Sequence, residues 1–265
     1  MVADEFPQFP AYDESAMVEI DSAVMAELVD KTIFSIALDK ENMFTLTAAL
    51  LEKFRENDQT YLKMISSDGH RLTIMTREVD AAIDNLQLKP LTLIPRRGVQ
   101  EIRKFCENRN SFLFGVEEKQ AVLKSSESLL VIRLMEGDFP DFQGLLDSLT
   151  RENTILIDRN RFLESLKRIN LFTEDMFHAI KMEVNGTTMV LTSQNADFGS
   201  ARDEFEVEYD GEPLMLGFNC RYFIDSLQVM EGNTVGASIN SQESPCLITS
   251  EEDKGFLSVI MPMKL

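Results

Sequence analysis

The chain has 265 residues, 44% of them hydrophobic, enough for two domains with packed cores, and this excludes global disorder. Its net charge of -19, from 45 acidic against 26 basic residues, excludes a surface that attracts nucleic acid or membrane as a whole. Any phosphate contact needs a local basic face and weakens with salt. No apolar run approaches a membrane span and nothing marks a secretory leader, so a cytoplasmic protein is expected.

Residues 1–14 read as an extended linker, because acidic residues and prolines dominate Asp4-Glu-Phe-Pro-Gln-Phe-Pro-Ala-Tyr-Asp13. A first domain is expected over 15–148. An amphipathic helix opens at Asp21-Ser22, both good capping residues. It carries Val24, Leu28, Val29, Ile33 and Ile36 at helical spacing. Ser67-Asp68-Gly69-His70-Arg71 reads as a strand that ends in a tight Asp-Gly turn, with pairing resumed at Leu72-Thr73-Ile74-Met75. The Pro-Leu-x-Leu strand at Pro90 to Leu93 leads into a second helix reaching Ile102. Strands between Gln120 and Met135 close this half.

The second domain is expected over 149–265 and repeats the order. A helix begins near Asp158 and runs through Phe162, Leu163, Leu166, Ile169 and Asn170. Met182 to Leu191 reads as a hairpin with a primed turn at Asn185-Gly186. Another Pro-Leu-x-Leu strand, Pro213 to Leu216, leads into a helix, and strands from Thr234 to Met261 follow. The repeated order of helix, strands, helix, strands predicts an α+β protein of two tandem domains. Each would pack two helices on antiparallel sheet.

No catalytic motif is present. The sequence has no Gly-rich phosphate loop, no nucleophile elbow and no His-Glu-x-x-His. Its only histidines are His70 and His178. Cys106, Cys220 and Cys246 lack metal spacing and read as buried free thiols. Ser67, Asp68 and His70 are too close along an extended chain to form a relay. No catalytic residue, metal or cofactor is therefore expected.

Two features point to binding instead. Basic residues cluster on the helices: Arg96, Arg97, Arg103 and Lys104 in the first half, then Arg159, Arg161, Lys167, Arg168 and Arg221 in the second. They are either solvated helix faces or one positive surface turned toward phosphates. The chain also ends on an apolar strand, Phe256 to Met261, followed by Pro262 and Met263. That end is either an ordinary last strand or an adaptable binding surface, since flexible Met side chains accept many partners. An acidic enzyme with scattered carboxylates and a purely structural repeat protein remain as alternatives. An enzyme has no reason to be sensitive to loss of Met261 to Leu265, and a structural repeat protein predicts no affinity for a partner peptide.

Five short segments occur in an order that resembles the bacterial DNA polymerase III beta subunit, the sliding clamp. They are Ser67-Asp-Gly-His-Arg-Leu72, Leu93-Ile-Pro-Arg-Arg-Gly98, Glu136-Gly-Asp-Phe-Pro-Asp141, Gly217-Phe-Asn219 and Val259-Ile-Met-Pro-Met-Lys-Leu265. The resemblance covers nearly all the chain and implies two tandem DNA-clamp domains, the second and third of the three in that family. It implies a non-catalytic processivity factor that encircles duplex DNA without reading sequence. The implied partners are the DNA polymerase III catalytic subunit, the clamp loader, and other polymerases and repair proteins bearing a Gln-Leu-x-Leu-Phe-like motif.

The resemblance also implies a peptide-binding pocket between the two domains. Its first-domain residues would be Leu46, Ser67, Gly69, His70, Arg71 and Leu72, joined by Pro140 and Leu145 near the seam. The second domain would add Asn219, Tyr222 and Pro245, and the tail Val259, Met261, Pro262, Met263, Lys264 and Leu265. Gly144 and Lys264 stand where many members carry Arg, so motif preference is expected to differ. The family closes its ring as a head-to-tail homodimer, and Leu171 and Phe172 match the third domain's apolar patch in that interface. Residues 5–10 resemble the link from a first domain, so this chain by itself is not expected to close a ring.

Overall fold

Local capping and alternating burial organise the chain, which is described here from a computed structural model over residues 10–38, 44–151, 153–173, 177–197 and 199–264. Strand β1 (Val18–Asp21) runs directly into helix α1 (Ser22–Asp30). The Asp21 carboxylate accepts from the Ala23 and Val24 backbone N–H groups and so fixes the helix start. The helix ends six residues before the expected Ile36. Thr32 Oγ1 donates back to the Leu28 carbonyl at 2.6 Å, which competes with helix continuation, and Ile33–Ser35 form a single 3-10 turn.

Three long strands follow: β2 (Ala48–Glu56), β3 (Gln59–Ser67) and β4 (Arg71–Val79). Asn57 and Asp58, with φ of 48° and 62°, form the primed turn between β2 and β3. Strand β5 (Thr92–Pro95) leads into α2 (Arg96–Phe105), then β6 (Ser111–Val116), β7 (Gln120–Lys124) and β8 (Leu129–Arg133). A short helix α3 (Gln143–Asp147), not expected from the sequence, precedes the second domain.

The second domain repeats this order. It comprises β9 (Thr154–Asp158), α4 (Arg159–Asn170), β10 (Ala179–Asn185), β11 (Thr188–Asn195), β12 (Gly199–Glu206) and β13 (Leu214–Asn219). It closes with α5 (Cys220–Val229), β14 (Thr234–Ser238), β15 (Cys246–Thr249) and β16 (Phe256–Ile260). Asp158 caps α4 as expected. Asn185 pairs with Thr188, so the β10–β11 turn is Gly186-Thr187, one residue beyond the expected position, with the positive φ on Gly186. The leading strands β1 and β9 were also missed. Each has only two buried positions, too few for a clear period of two.

Each domain has a four-stranded sheet of its own, β1-β6-β7-β8 in the first and β12-β11-β10-β13 in the second. The remaining strands form one eight-stranded sheet, β5-β2-β3-β4-β16-β15-β14-β9, that crosses the seam. There β16 pairs antiparallel with β4, from Phe256 opposite Met75 to Ile260 opposite Arg71. Helices α1 and α2 pack together in the first domain, as do α4 and α5 in the second.

One face of the shared sheet contributes to the main core. Its other face carries a separate apolar cluster including Leu50, Leu72, Ile74, Leu93, Leu247 and Val259. Both faces being covered explains the continuous burial of Ala48-Ala49-Leu50-Leu51 in β2. The cover on the second face is the segment from Met135 to Leu149, through Phe139, Phe142, Leu145 and Leu146.

Candidate peptide-binding site at the domain seam

The β3–β4 turn is held rigidly. Ser67 Oγ donates to the Arg71 carbonyl at 2.7 Å and accepts from Gly69 N. Asp68 Oδ1 accepts from the backbone N–H groups of His70 and Arg71, and Gly69 supplies the left-handed residue with φ of 88°. The chain end lies beside this turn. Met261 N donates to the His70 carbonyl at 2.9 Å, and Met263 N donates to the Gly217 carbonyl at 2.8 Å. The tail is thus tied first to the first domain and then to strand β13 of the second. Pro262, which has no N–H, makes the change of partner.

Two hollows flank Met261. The first, about 320 Å³, is lined by Leu46, Ser67, Gly69, Arg71, Leu72, Pro140, Leu145, Val259 and Met261. The second, about 270 Å³, is lined by His70, Asn219, Tyr222, Met261, Pro262 and Met263. Among the remaining pocket expectations, Pro245 lines neither hollow. Lys264 lines a separate depression of the second domain with Lys181 and Arg202. Leu265 lies outside the described residues. Sequence reasoning missed Phe139, Asp141 and Phe142 in the first hollow, and Asp68 and Phe177 in the second. Phe139 and Phe142 carried a usable signal, since Phe139, Phe142, Leu145, Leu146 and Leu149 recur at helical spacing.

Arg71 is not the open donor that sequence reasoning assigned to the pocket. It is 8% exposed. Nε donates to Asp68 Oδ2, Nη1 to Asp225 Oδ2 and Nη2 to the Phe34 carbonyl, at 2.9, 2.7 and 2.7 Å. Its guanidinium also stacks 4.6 Å from the Tyr222 ring centroid. Three of its five N–H donors are therefore engaged, and its charge faces two carboxylates. It lines the first hollow and stacks on Tyr222, which lines the second.

The nine helix cations are not equivalent. Arg96 Nη1 donates to the carbonyls of Ile33 and Ile36, and Arg159 Nη1 to that of Leu227. Burial, with the Arg71 guanidinium nearby, lowers the Arg96 pKa. Arg103 pairs with Asp30 and Lys104 with Glu101, while Arg161 and Arg168 share Asp203. Arg97, Lys167 and Arg221 are exposed, and among the described residues none of them makes an ion pair. Leu171, just past α4, is 75% exposed, while Phe172 beside it is half-buried.

Among the described residues no group of three His, Cys, Asp or Glu side chains could hold a metal, and no helix is long and apolar enough to cross a membrane. All three cysteines are buried and free, and burial pushes the Cys106 and Cys220 thiols up to about 12.

Two tandem α+β repeats joined through one sheet define a DNA-clamp fold. The description "DNA polymerase III beta subunit, central domain" matches residues 19–141, and "DNA polymerase III beta subunit, C-terminal domain" matches 150–264. The beta sliding clamp of Caulobacter vibrioides is 26% identical over 266 residues, covering 99% of this chain and 70% of that protein. The clamp of Vibrio cholerae is 25% identical over 272 residues, covering 99% and 69%.

Two solved structures share the fold at 24% identity. The Caulobacter crescentus beta sliding clamp, with polyethylene glycol at its proposed beta-motif tethering region, has a TM-score of 0.91 and covers 100% of this chain and 70% of that one. The Bartonella birtlesii clamp, bound to griselimycin, has a TM-score of 0.90 and covers 99% and 70%. The chain belongs to the bacterial DNA polymerase III beta subunit family, the sliding clamps, which are non-catalytic processivity factors.

Proposed function

We propose that this chain acts in the bacterial cytoplasm as a DNA sliding clamp subunit that holds client proteins on duplex DNA through the paired hollows at its domain seam. The carrying observation is the placement of Met261, between the two hollows and hydrogen-bonded to the β3–β4 turn. A concave apolar wall with few polar groups suits a short extended peptide with leucine and phenylalanine anchors. Flexible Met side chains let one site accept several clients. Clients would be the DNA polymerase III catalytic subunit, the clamp loader, and other polymerases and repair proteins carrying a Gln-Leu-x-Leu-Phe-like motif. Tethering raises a client's effective concentration at the template, so processivity needs no chemistry from the clamp.

The DNA-facing surface would be the exposed helix cations Arg97, Lys167 and Arg221, contacting phosphate without base readout. Leu171 and Phe172 would form the apolar patch through which head-to-tail clamp subunits associate. The test is titration of a labelled Gln-Leu-x-Leu-Phe peptide against this chain and against a form lacking Met261 to Leu265. Saturable binding lost with the tail is expected. Binding that survives tail removal undiminished would place the site elsewhere, and no binding by the intact chain would refute it.

A further inference from the structure

Among the described residues the first hollow carries two charged groups, Arg71 and Asp141, on an otherwise mainly apolar wall. Arg71 is compensated by Asp68 and Asp225. Lys63, whose ammonium lies 5.7 Å from the Phe142 ring centroid, is paired with Glu52 at 3.1 Å. Arg96 spends its guanidinium on two carbonyls and lines neither hollow. Asp141 is different. Its Oδ1 accepts from the Gln143 and Gly144 backbone N–H groups at 3.1 and 3.3 Å. Among the described residues no ion pair or hydrogen bond reaches its Oδ2.

Gly144 leaves that oxygen open. A Cβ at position 144 would sit 3.4 Å from Asp141 Oδ2, so any longer side chain there would compete for the same space. Among the described residues the balance of fixed charge at this hollow is therefore negative, within a chain of net charge -19. Asp141 is exposed at the rim of the hollow, so its pull on a cation is modest and sensitive to salt.

We propose that Asp141 makes this site selective for apolar client peptides that carry a cationic side chain between their leucine anchors, and that it disfavours an acidic residue there. The inference rests on the peptide-binding reading above. It names the chemistry of the preferred partner, a lysine- or arginine-bearing leucine-phenylalanine motif. Asp141 acts as a specificity-determining residue, and the apolar wall supplies the anchoring.

The test is fluorescence anisotropy with labelled Gln-Leu-Lys-Leu-Phe and Gln-Leu-Asp-Leu-Phe peptides against the intact chain, Asp141→Asn and Gly144→Arg, at low and high salt. The expected result is tighter binding of the lysine peptide by about five- to tenfold, as attraction in one peptide and repulsion in the other both contribute. That ratio should fall toward unity in both variants and shrink with salt. Two independent variants guard against misfolding of either one. Equal affinities in the intact chain, or a ratio that neither variant moves, would overturn the inference and leave the peptide site standing. Failure of both peptides to bind the intact chain would overturn the peptide site and the inference together.

Discussion

Arg71 Nη1 donates to Asp225 Oδ2 at 2.7 Å across the seam between the two domains. The pair joins the β3–β4 turn, which shapes the first hollow, to helix α5, whose residue Tyr222 lines the second. The guanidinium thus joins the β4–β16 pairing among the contacts that set the relative placement of the two hollows. Asp225→Ala removes one of two carboxylates from a buried Arg. Asp68 and the Phe34 carbonyl remain, and Asp225 is itself 36% exposed, so the cost should be about 1–2 kcal/mol, less than for breaking a fully buried pair. Thermal melting should show a drop of several degrees, with weaker peptide binding. An unchanged melting temperature and an unchanged affinity would show that the seam is held without this contact.

Lys31 and Asp253 form a second cross-seam pair, with side chains 5% and 0% exposed. Asp253 also accepts from the Glu231 and Gly232 backbone N–H groups. Lys31→Met leaves this carboxylate buried without its cation. The expected loss is about 3–5 kcal/mol in urea unfolding, the scale for removing one partner of a buried pair. A loss below about 1 kcal/mol would mean that the backbone donors suffice.

The same pair predicts acid sensitivity. Burial alone would raise the Asp253 pKa, but the Lys31 ammonium and the backbone N–H groups outweigh it and hold the carboxyl below its ordinary range. A depressed folded-state pKa contributes stability that is fully present above the unfolded value, near about 3.9, and lost as pH falls through the folded value. Stability should therefore lose this contribution only below about pH 4. Asp253→Asn should flatten that acid limb in urea titrations, and an identical limb in the variant would assign it to other carboxylates.

Gly255 immediately precedes strand β16 with φ of 82°, and its carbonyl accepts from Thr76 N at 2.9 Å. A Cβ there would lie 2.2 Å from the Thr76 carbonyl oxygen, a contact that backbone must yield to relieve. Gly255→Ala should cost about 2 kcal/mol or more, from left-handed strain plus the displaced β4–β16 pairing. The measurement is hydrogen exchange of Thr76 and Leu257 amides, which should rise more than exchange in β11. A uniform change across both domains would count against a local effect at the seam.

Sequence periodicity made the four longer helices and the internal repeat legible, because Asp21 and Asp158 are strong caps and α4 buries Phe162, Leu163, Leu166 and Ile169 on one face. Strands β1 and β9 were illegible since so few residues alternate in them. The pairing of β4 with β16 was illegible for another reason. It joins residues far apart in sequence, and neither strand marks its partner. Arg71 shows the same limit at the site. Its type and position suggested a donor for clients, but only the fold brings Asp225 and Tyr222 to it. Asp141 was passed over because a lone carboxylate in so acidic a chain has no distinguishing spacing.

The fold divides the helix cations into those engaged within the protein and those left exposed. Arg97, Lys167 and Arg221 are exposed and lie on α2, α4 and α5, so reversing them to Glu removes charge without breaking an internal contact. If these faces meet duplex phosphates, the triple variant should bind DNA more weakly at low salt. The slope of log affinity against log salt should also fall by about three, one for each lost phosphate contact. Arg96→Glu should act differently. Arg96 donates to the Ile33 and Ile36 carbonyls, so its loss should lower the melting temperature first. An unchanged salt slope in the triple variant would move DNA contact to another surface. A weakened slope at an unchanged melting temperature would assign it to these three helices.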